Sequence, residues 1–587
     1  MLEFLGRTDD QVKVRGHRVE LGEVEEALAA HPGVAQAAAL ARAGADGRTL
    51  LAAWVVPRVG AAPDAEALRD HLRARLPDAF VPARIGLCAA LPRTATGKLD
   101  RAALELPGAP ARSAAPAPAS EAAEALAGLF AAALDLERVG PDDDFFALGG
   151  DSLSAVRLLG LVRDACGEEL PLRALFDGPT PAALGGALRA AGGGAPPPPA
   201  RGPDLAAEAK LPADVRPAAG VPRDPPQRVL VTGATGFLGA HLLAALAERL
   251  PAEARLTALV RARDAGEARA RLSAVLAGYG LAAPGLERRL AAVAGDLAAP
   301  GLGLDPALYE RLARELDAIV HAGAEVSFLK PFSALKRANA GGTLEALRLA
   351  CAERPKAFHH VSTVGVFDVE DPPRELLEDL DLAPFAGVRG GYAQSKWVAE
   401  ELVRAAARRG LPVRVFRPGR LVASARTGAA NPSDVALLLL AACLELGLVP
   451  DLDVVVDATP VDHAARALAH IALEPRAAGG TFHLVHAARF EARASAEALR
   501  AAGRPVTLAA PEEWFRALGA RAARGRFAPL VAILAQVPEL AGRSAAPAPR
   551  LDDRRARALL APAGIGCPPL DADYLARVVR RLATPTG

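Results

Sequence analysis

The sequence predicts a multidomain chain whose largest part is an α/β domain on a parallel sheet, preceded by a small helical bundle and one further small piece. Three observations carry this reading. Two stretches rich in Ala and Pro, 107–119 and 191–226, interrupt the apolar patterning. "RVLVTGATGFLGAHLLAALA", from Arg228 to Ala247, reads as a strand, a glycine turn and a helix. Tyr392 and Lys396, in "YAQSK", stand one helical turn apart.

At 587 residues the chain exceeds a single core, and one domain per 100 to 200 residues allows roughly three to five. The 69 basic and 68 acidic side chains leave a formal charge of +1, so no global field points to nucleic acid or an anionic membrane. Cys88, Cys166, Cys351, Cys443 and Cys567 lie far apart, in no metal-ligand spacing. They read as reduced thiols, with no metal site expected. The apolar run Val435 to Val449 is interrupted by Glu445 and too short to span a bilayer. Glu3, Arg7, Asp9 and Asp10 stand where a signal peptide needs apolar residues. The expectation is a soluble, cytoplasmic protein.

The two stretches divide the chain into pieces 1–106, 120–190 and 227–587. Their prolines favour extended conformations, and they offer little apolar surface to bury. As a flexible coil the second would span about 30 to 35 Å. Cargo on the middle piece would then meet the last piece at high effective concentration.

In the first piece, "GRTDDQVKVRGHRVELGEVEEAL" (Gly6 to Leu28) and "LPRTATGKLDRAAL" (Leu91 to Leu104) resemble the small C-terminal subdomain of nonribosomal peptide synthetase adenylation domains. The resemblance implies a small α+β fold, with Asp9 at the hinge and Lys98 reaching into the ATP site. A lysine in a glycine-bearing loop suits phosphate oxygens. The family's large N-terminal subdomain, with its phosphate loop, does not precede this piece in the sequence, so no adenylation is expected.

In the middle piece, Leu126, Leu129, Phe130, Ala133 and Leu134 fall at helical spacing. A second helix is expected from Ser152, with Leu153, Val156, Leu159 and Val162 on one side. The sum is a small bundle. An isolated Asp151 or Ser152 here would read as a helix N-cap. The surrounding "DDFFALGGDSL" resembles the carrier-protein signature of peptide synthetases, which implies a four-helix carrier bundle with a phosphopantetheine arm on Ser152. A phosphopantetheinyl transferase would attach it. A serine that opens a helix fits a phosphodiester, because backbone N–H groups and the helix dipole favour the anion.

In the last piece, Gly233, Gly236 and Gly239, with Thr235, Phe237 and Leu238 between them, form a turn that lets a pyrophosphate approach the helix N-terminus. With 54 glycines in the chain, such a triplet would arise by chance about 0.4 times. The flanking strand and helix give it meaning. The next apolar run, "LTALV", ends at Arg261, where an NAD enzyme typically presents an acidic residue. A guanidinium there forks a ribose phosphate and favours NADPH, with Arg271 assisting.

The chain has four tyrosines, and a Tyr–Lys pair at this spacing would arise at random in roughly one such chain in twenty. On a helix the Lys396 ammonium sits beside the Tyr392 phenol, and its charge is expected to lower the phenol pKa. "FHHVSTVGVF" reads as a strand ending in Ser362 and Thr363, hydroxyls able to orient a carbonyl.

From Arg228 to Ser424 these residues resemble the extended short-chain dehydrogenase/reductase family, a Rossmann-type fold. The resemblance makes Thr363, Tyr392 and Lys396 catalytic. It places Asp296 and Leu297 of "GDL", and Ala322, Gly323 and Ala324 of "HAGAEVSF", on cofactor-facing loops, and "RPGR" (Arg417 to Arg420) on the nicotinamide side. His321 is expected as a strand-end histidine without a role.

Behind a carrier, the arrangement is similar to the terminal thioester reductases of peptide synthetases and to carboxylic acid reductases. That implies reductive release of an acyl or peptidyl thioester with NADPH, as an aldehyde or, after a second round, an alcohol. Upstream synthetase modules would be partners, and the part after about 425 a mainly helical substrate side. Three alternatives remain: non-redox release or condensation on the same fold, an epimerase acting on free nucleotide sugars, and a non-catalytic carrier and docking module. The intact Tyr392 and Lys396 argue against the first, and the tethering serine against the second.

Overall fold

The computed structural model describes residues 11–583 apart from three long segments, 105–120, 192–202 and 531–548, and shorter ones such as 93–98 and 149–151. Asp9, Lys98 and Asp151 lie outside the described residues. The chain forms two compact units, 1–198 and 199–587.

In the first unit, β1 (Gln11–Val14) and β2 (His17–Glu20) form an antiparallel hairpin. Helix α1 (Leu21–Ala29) buries Leu21, Val24 and Leu28, the i, i+3, i+7 stripe of an amphipathic helix. These meet Ala39, Leu51, Ala53, Val55 and Ile85 of a three-stranded sheet, β3 (Val34–Ala43), β4 (Thr49–Pro57) and β5 (Arg84–Leu87). Among the described residues the further long helices are α2 (Glu121–Leu134), α3 (Ser152–Cys166) and α4 (Pro181–Ala191). Leu126, Phe130, Phe145, Leu158, Val162 and Leu184 are buried among them, and the rings of Phe130 and Phe145 meet edge to face at 5.5 Å.

The second unit is organised by seven parallel strands in the order β12-β11-β10-β9-β6-β7-β8. They are β6 (Arg228–Thr232), β7 (Arg255–Val260), β8 (Leu290–Ala294), β9 (Ala318–His321), β10 (Ala357–Val361), β11 (Val413–Pro418) and β12 (Gly480–Leu484). Strand order reverses between β6 and β9, the point where doubly wound sheets bind ligands. Alternate residues serve opposite faces. Val229 and Val231 pack with α5 (Phe237–Arg249) and α9 (Val461–Leu473), while Leu230 faces the core shared by α7 (Gly342–Cys351) and α8 (Gly391–Arg408). Helix α6 (Ala265–Gly278) follows β7.

Two segments differ from expectation. Residues 204–218, expected as linker, are folded: Leu205, Leu211 and Val215 are buried in the α7/α8 core. The Arg409 guanidinium, at the end of α8, donates to the carbonyls of Leu211, Pro212 and Val215. Three apolar residues and one arginine fix a stretch whose composition reads as coil. The part after 425, expected as mainly helical, also contributes strands. Its β12 completes the sheet, α9 packs on α5, α10 (Arg554–Leu560) buries Ala556 and Leu560 in the same core, and Asp453–Asp457 pairs with Ala487–Glu491.

A buried ion pair joins α8 to the sheet. Glu400 and Arg417 are both fully buried, with Arg417 Nη2 2.6 Å from Glu400 Oε1 and Nε 3.1 Å from Oε2. Ser362 Oγ donates to Glu400 at 2.6 Å, Arg404 Nε at 3.0 Å, and the Arg417 guanidinium lies 4.5 Å from the Phe367 ring centroid. Burial alone would push the Glu400 carboxyl up, but Arg417 and its other donors hold it at about 2. Glu400→Gln is expected to lower the stability of this unit by about 3–5 kcal/mol, measured by urea unfolding. Because the folded value is depressed, the stabilisation by Glu400 should be complete above the ordinary value of 4.5 and fade as pH falls toward 2.

Candidate active site

The glycine turn stands at the switch point. Gly233 takes φ +69°, and a Cβ on it would come 2.6 Å from the backbone of Gly323, in the loop after β9. A Cβ on Gly239 would come 2.0 Å from the Gly233 carbonyl. Only glycine permits this closeness. Gly236 caps α5 with no side-chain hydrogen bond, so the first N–H groups of the helix, from Phe237, Leu238 and Gly239, face outward as an anion site. Thr235, Phe237 and Leu238 are half-buried around it. The cradle fits a dinucleotide pyrophosphate.

Arg261 follows β7 and Arg271 lies in the middle of α6; both are exposed, and Arg271 Nη1 donates to the Arg261 carbonyl at 2.8 Å, so the Arg271 side chain reaches the backbone at the end of β7. Asp296 accepts from the Ala298 N–H at 2.9 Å. Leu297 packs so closely that a Cβ on Gly323 would come 2.5 Å from its Cδ1. Ala322 and Ala324 flank Gly323 as half-buried residues of the same loop.

His321 lies beneath this loop, fully buried, and burial pushes it down to about 3. Its partners fix the tautomer. Thr343 Oγ1 donates to the Asn339 carbonyl and so accepts from His321 Nε2, while Nδ1 accepts from Thr232 Oγ1, which itself accepts from the Gly323 N–H. The neutral ring is a satisfied strut between β6, β9 and α7.

Thr363 follows β10, and its Oγ1 accepts from the Gly365 N–H at 3.1 Å, capping a short 3-10 turn. Ser362 beside it is committed to Glu400, which leaves Thr363, half-buried, as the hydroxyl at the cleft. Tyr392 and Lys396 lie on the first turns of α8. Lys396 is buried, its Nζ donating to the Val361 carbonyl at 2.8 Å, and burial pushes it down to about 8. Burial also pushes the Tyr392 phenol up to about 12. The lowering of that pKa expected from Lys396 is therefore not found, and the loss of water around the phenol is the cause of the rise. A Cβ on Gly391 would come 2.3 Å from the Lys330 carbonyl, so the start of α8 is pressed against the loop after β9.

Asn339 was not anticipated from the sequence. It is 1% exposed, on a π-helical turn, Arg337–Gly341, a distortion common at functional sites. Its Oδ1 accepts from the Glu325 N–H, and its Nδ2 donates to the Glu325 carbonyl and to Ser395 Oγ. Ser395 in turn donates to the Tyr392 carbonyl. The side chain ties the cofactor-side loop to the helix carrying Tyr392. A lone amide on the buried stripe of an otherwise helical run was its available signal. Arg417, expected on the nicotinamide side, is instead enclosed in the ion pair with Glu400.

Ser152 is the first residue of α3, as expected of a serine opening a helix, and its side chain lies outside the described part. Among the described residues no group of His, Cys, Asp and Glu could hold a metal, and no helix is long and apolar enough to cross a membrane.

Three family models match the chain: AMP-binding enzyme C-terminal domain over residues 23–98, phosphopantetheine attachment site over 124–188, and the NAD-binding family described as male sterility protein over 231–468. The isonitrile lipopeptide synthase of Streptomyces coeruleorubidus is 40% identical over 81% of this chain and 34% of its own length. A linear gramicidin synthase chain of Brevibacillus parabrevis is 34% identical over 98% of this chain and 12% of its own. The chain thus spans about a third or less of these relatives. Among solved structures, the terminal R domain from the myxalamid PKS-NRPS biosynthetic pathway is 37% identical, with a TM-score of 0.58, covering 64% of this chain and 96% of that one.

Asn339→Ala would strand buried groups of Glu325 and Ser395. It is expected to cost about 1–3 kcal/mol in urea unfolding and to speed hydrogen exchange in the loop after β9 and the first turn of α8.

Proposed function

The chain belongs to the nonribosomal peptide synthetase terminal modules that end in a reductase (R) domain, and on that premise we propose that it releases a carrier-bound acyl or peptidyl thioester reductively, as an aldehyde. The observation that carries this reading is the meeting of a dinucleotide cradle with Thr363, Tyr392 and Lys396 at the ends of β6, β9 and β10.

NADPH supplies the hydride when bound, its pyrophosphate held at Gly233 to Gly239 and its ribose phosphate by Arg261 and Arg271. A phosphopantetheine arm on Ser152 supplies the thiol to which the acyl group is esterified. Thr363 Oγ1 and the Tyr392 hydroxyl meet the carbonyl oxygen as negative charge develops on it. Tyr392, protonated at neutral pH, donates the proton. Lys396 orients the site and supplies positive charge. The product of hydride addition and protonation is a thiohemiacetal; as its carbon–sulfur bond breaks, the hydroxyl proton is given up and a proton is taken up by sulfur, so the acyl carbon leaves as an aldehyde and the thiol remains on the carrier. A second hydride transfer would give the alcohol. Upstream modules would supply the thioester and a phosphopantetheinyl transferase the arm, in a reducing cytoplasm that keeps the cysteines as thiols.

The test loads Ser152 with an acyl pantetheine, adds NADPH, follows absorbance at the nicotinamide band and identifies the product by mass spectrometry. Absence of oxidation in a single turnover would sink the reading. Tyr392→Phe is expected to slow turnover by about 10²–10⁴-fold, whereas a docking module would be unaffected. Lys396 carries its charge below about 8 and loses it as pH rises through that value. Activity should therefore decline on the alkaline side near pH 8, and Lys396→Arg should shift that decline upward, whatever its effect on the maximum rate.

A further inference from the structure

Away from the glycine turn, the second unit has a pocket of about 240 Å³ lined by Arg426, Thr427, Arg577, Arg580 and Arg581. Arg577, Arg580 and Arg581 come from α11 (Ala572–Ala583), spaced so that they share a face. Arg426 and Thr427 come from a loop after β11. The loop is tightly built. Ser424 Oγ accepts from the N–H groups of Arg426 and Thr427, and the Asp462 carboxylate accepts from those of Ala425 and Arg426. Gly428, at φ +68°, brings the loop against α11 so closely that a Cβ there would come 2.6 Å from the Arg577 carbonyl.

Among the described residues Arg426, Arg577 and Arg581 form one ion pair, and a long one: Glu248 approaches Arg426 at 4.0 Å, with both side chains largely exposed. The Asp462 carboxylate lends its negative charge to the same loop but accepts from backbone N–H groups. Arg581 spends one N–H on the Gly278 carbonyl. Arg577 Nε is buried with no hydrogen-bond partner. A helix C-terminus explains basic residues in the last turn of α11. It does not explain an arginine brought in on a separate loop, nor a buried guanidinium N–H left unpaired, which costs free energy until something accepts from it.

We propose that this pocket is an anion site for a phosphate ester. The guanidinium groups of Arg426, Arg577 and Arg581 and the Thr427 hydroxyl line it from two elements, and clustered guanidinium donors suit the oxygens of a phosphate. Two groups carry this chemistry here, the 4′-phosphopantetheine arm and the phosphorylated dinucleotide; naming them as sources rests on the function proposed above, whereas the phosphate chemistry rests on the pocket alone.

The experiment measures binding by calorimetry to the full-length chain, with inorganic phosphate, 4′-phosphopantetheine, unphosphorylated pantetheine and adenosine 2′,5′-bisphosphate as probes. Arg577→Gln and, on the exposed loop, Arg426→Gln are compared with Arg311→Gln, an exposed arginine of another helix, and circular dichroism checks that each is folded. A loss of tenfold or more in affinity for a phosphate probe in both pocket variants, with Arg311→Gln leaving that probe unchanged, is the expected result. If the affected probe is 4′-phosphopantetheine, and pantetheine is not, the arm is the source. If it is the bisphosphate, the dinucleotide is. Smaller losses for every phosphate probe, or equal losses in Arg311→Gln, overturn the proposal. These affinities do not depend on hydride transfer, so a chain that fails to oxidise NADPH leaves the result readable.

Discussion

Everything around Tyr392 depends on one carboxylate. Glu400 sits two turns beyond Tyr392 on the same helix, and its partners come from three other places: Ser362 at the end of β10, Arg417 near the end of β11, and Arg404 one turn further along α8. Removing two charges from water is expensive, and an ion pair this deep repays it only when every donor and acceptor is satisfied. The bidentate fork, the serine hydroxyl and the stacking of Arg417 on Phe367 meet that demand. Their geometric effect is to hold the helix of Tyr392 and Lys396 in register with the strand end that presents Thr363.

A second, uncharged network does the same for the cofactor side. The chain of donors running from the Gly323 N–H through Thr232, His321 and Thr343 to the Asn339 carbonyl has one direction, set by the donor-only and acceptor-only groups at its ends. It fixes the loop after β9 relative to the glycine turn. The Asn339 side chain then passes that position on to α8 through Ser395. The two halves of the site are located by polar groups that never need to touch a substrate.

How much of this could be read in advance follows from what kind of constraint each residue obeys. Gly233, Gly236, Gly239, Tyr392 and Lys396 are local: their spacing along one turn or one helix is the chemistry, so the sequence displays it. Arg417 and Glu400 are seventeen residues apart and pair only because β11 lies beside β10 and under α8, a proximity that a linear pattern does not carry. Asn339 needed a π-turn to aim it. Leu205, Leu211 and Val215 sit in a stretch whose average composition is that of a linker, and averaging hides three well-placed contacts. The pKa of Tyr392 runs against the sequence pattern because a charge four residues away is visible in the sequence and the loss of water around the phenol is not.

The last strand of the sheet has a bearing on how the protein is made. Strand β12 lies against β11, pairing His483 with Arg417, and the Glu378 carboxylate accepts from the N–H groups of His483, Arg555 and Ala556. Residues 66 positions downstream of Arg417 and 105 to 178 downstream of Glu378 therefore complete the surroundings of these groups. During translation, which delivers the chain from its N-terminus, the glycine turn and the Tyr392 helix emerge well before those partners do. The nascent domain must pass through a stage in which buried carboxylates and arginines still lack part of their hydrogen bonding, a stage at which collapse is disfavoured and exposed strand edges invite wrong pairing. The order of synthesis thus postpones closure of the core until the polypeptide beyond residue 556 is available, and makes the interval before it the time when a chaperone would matter.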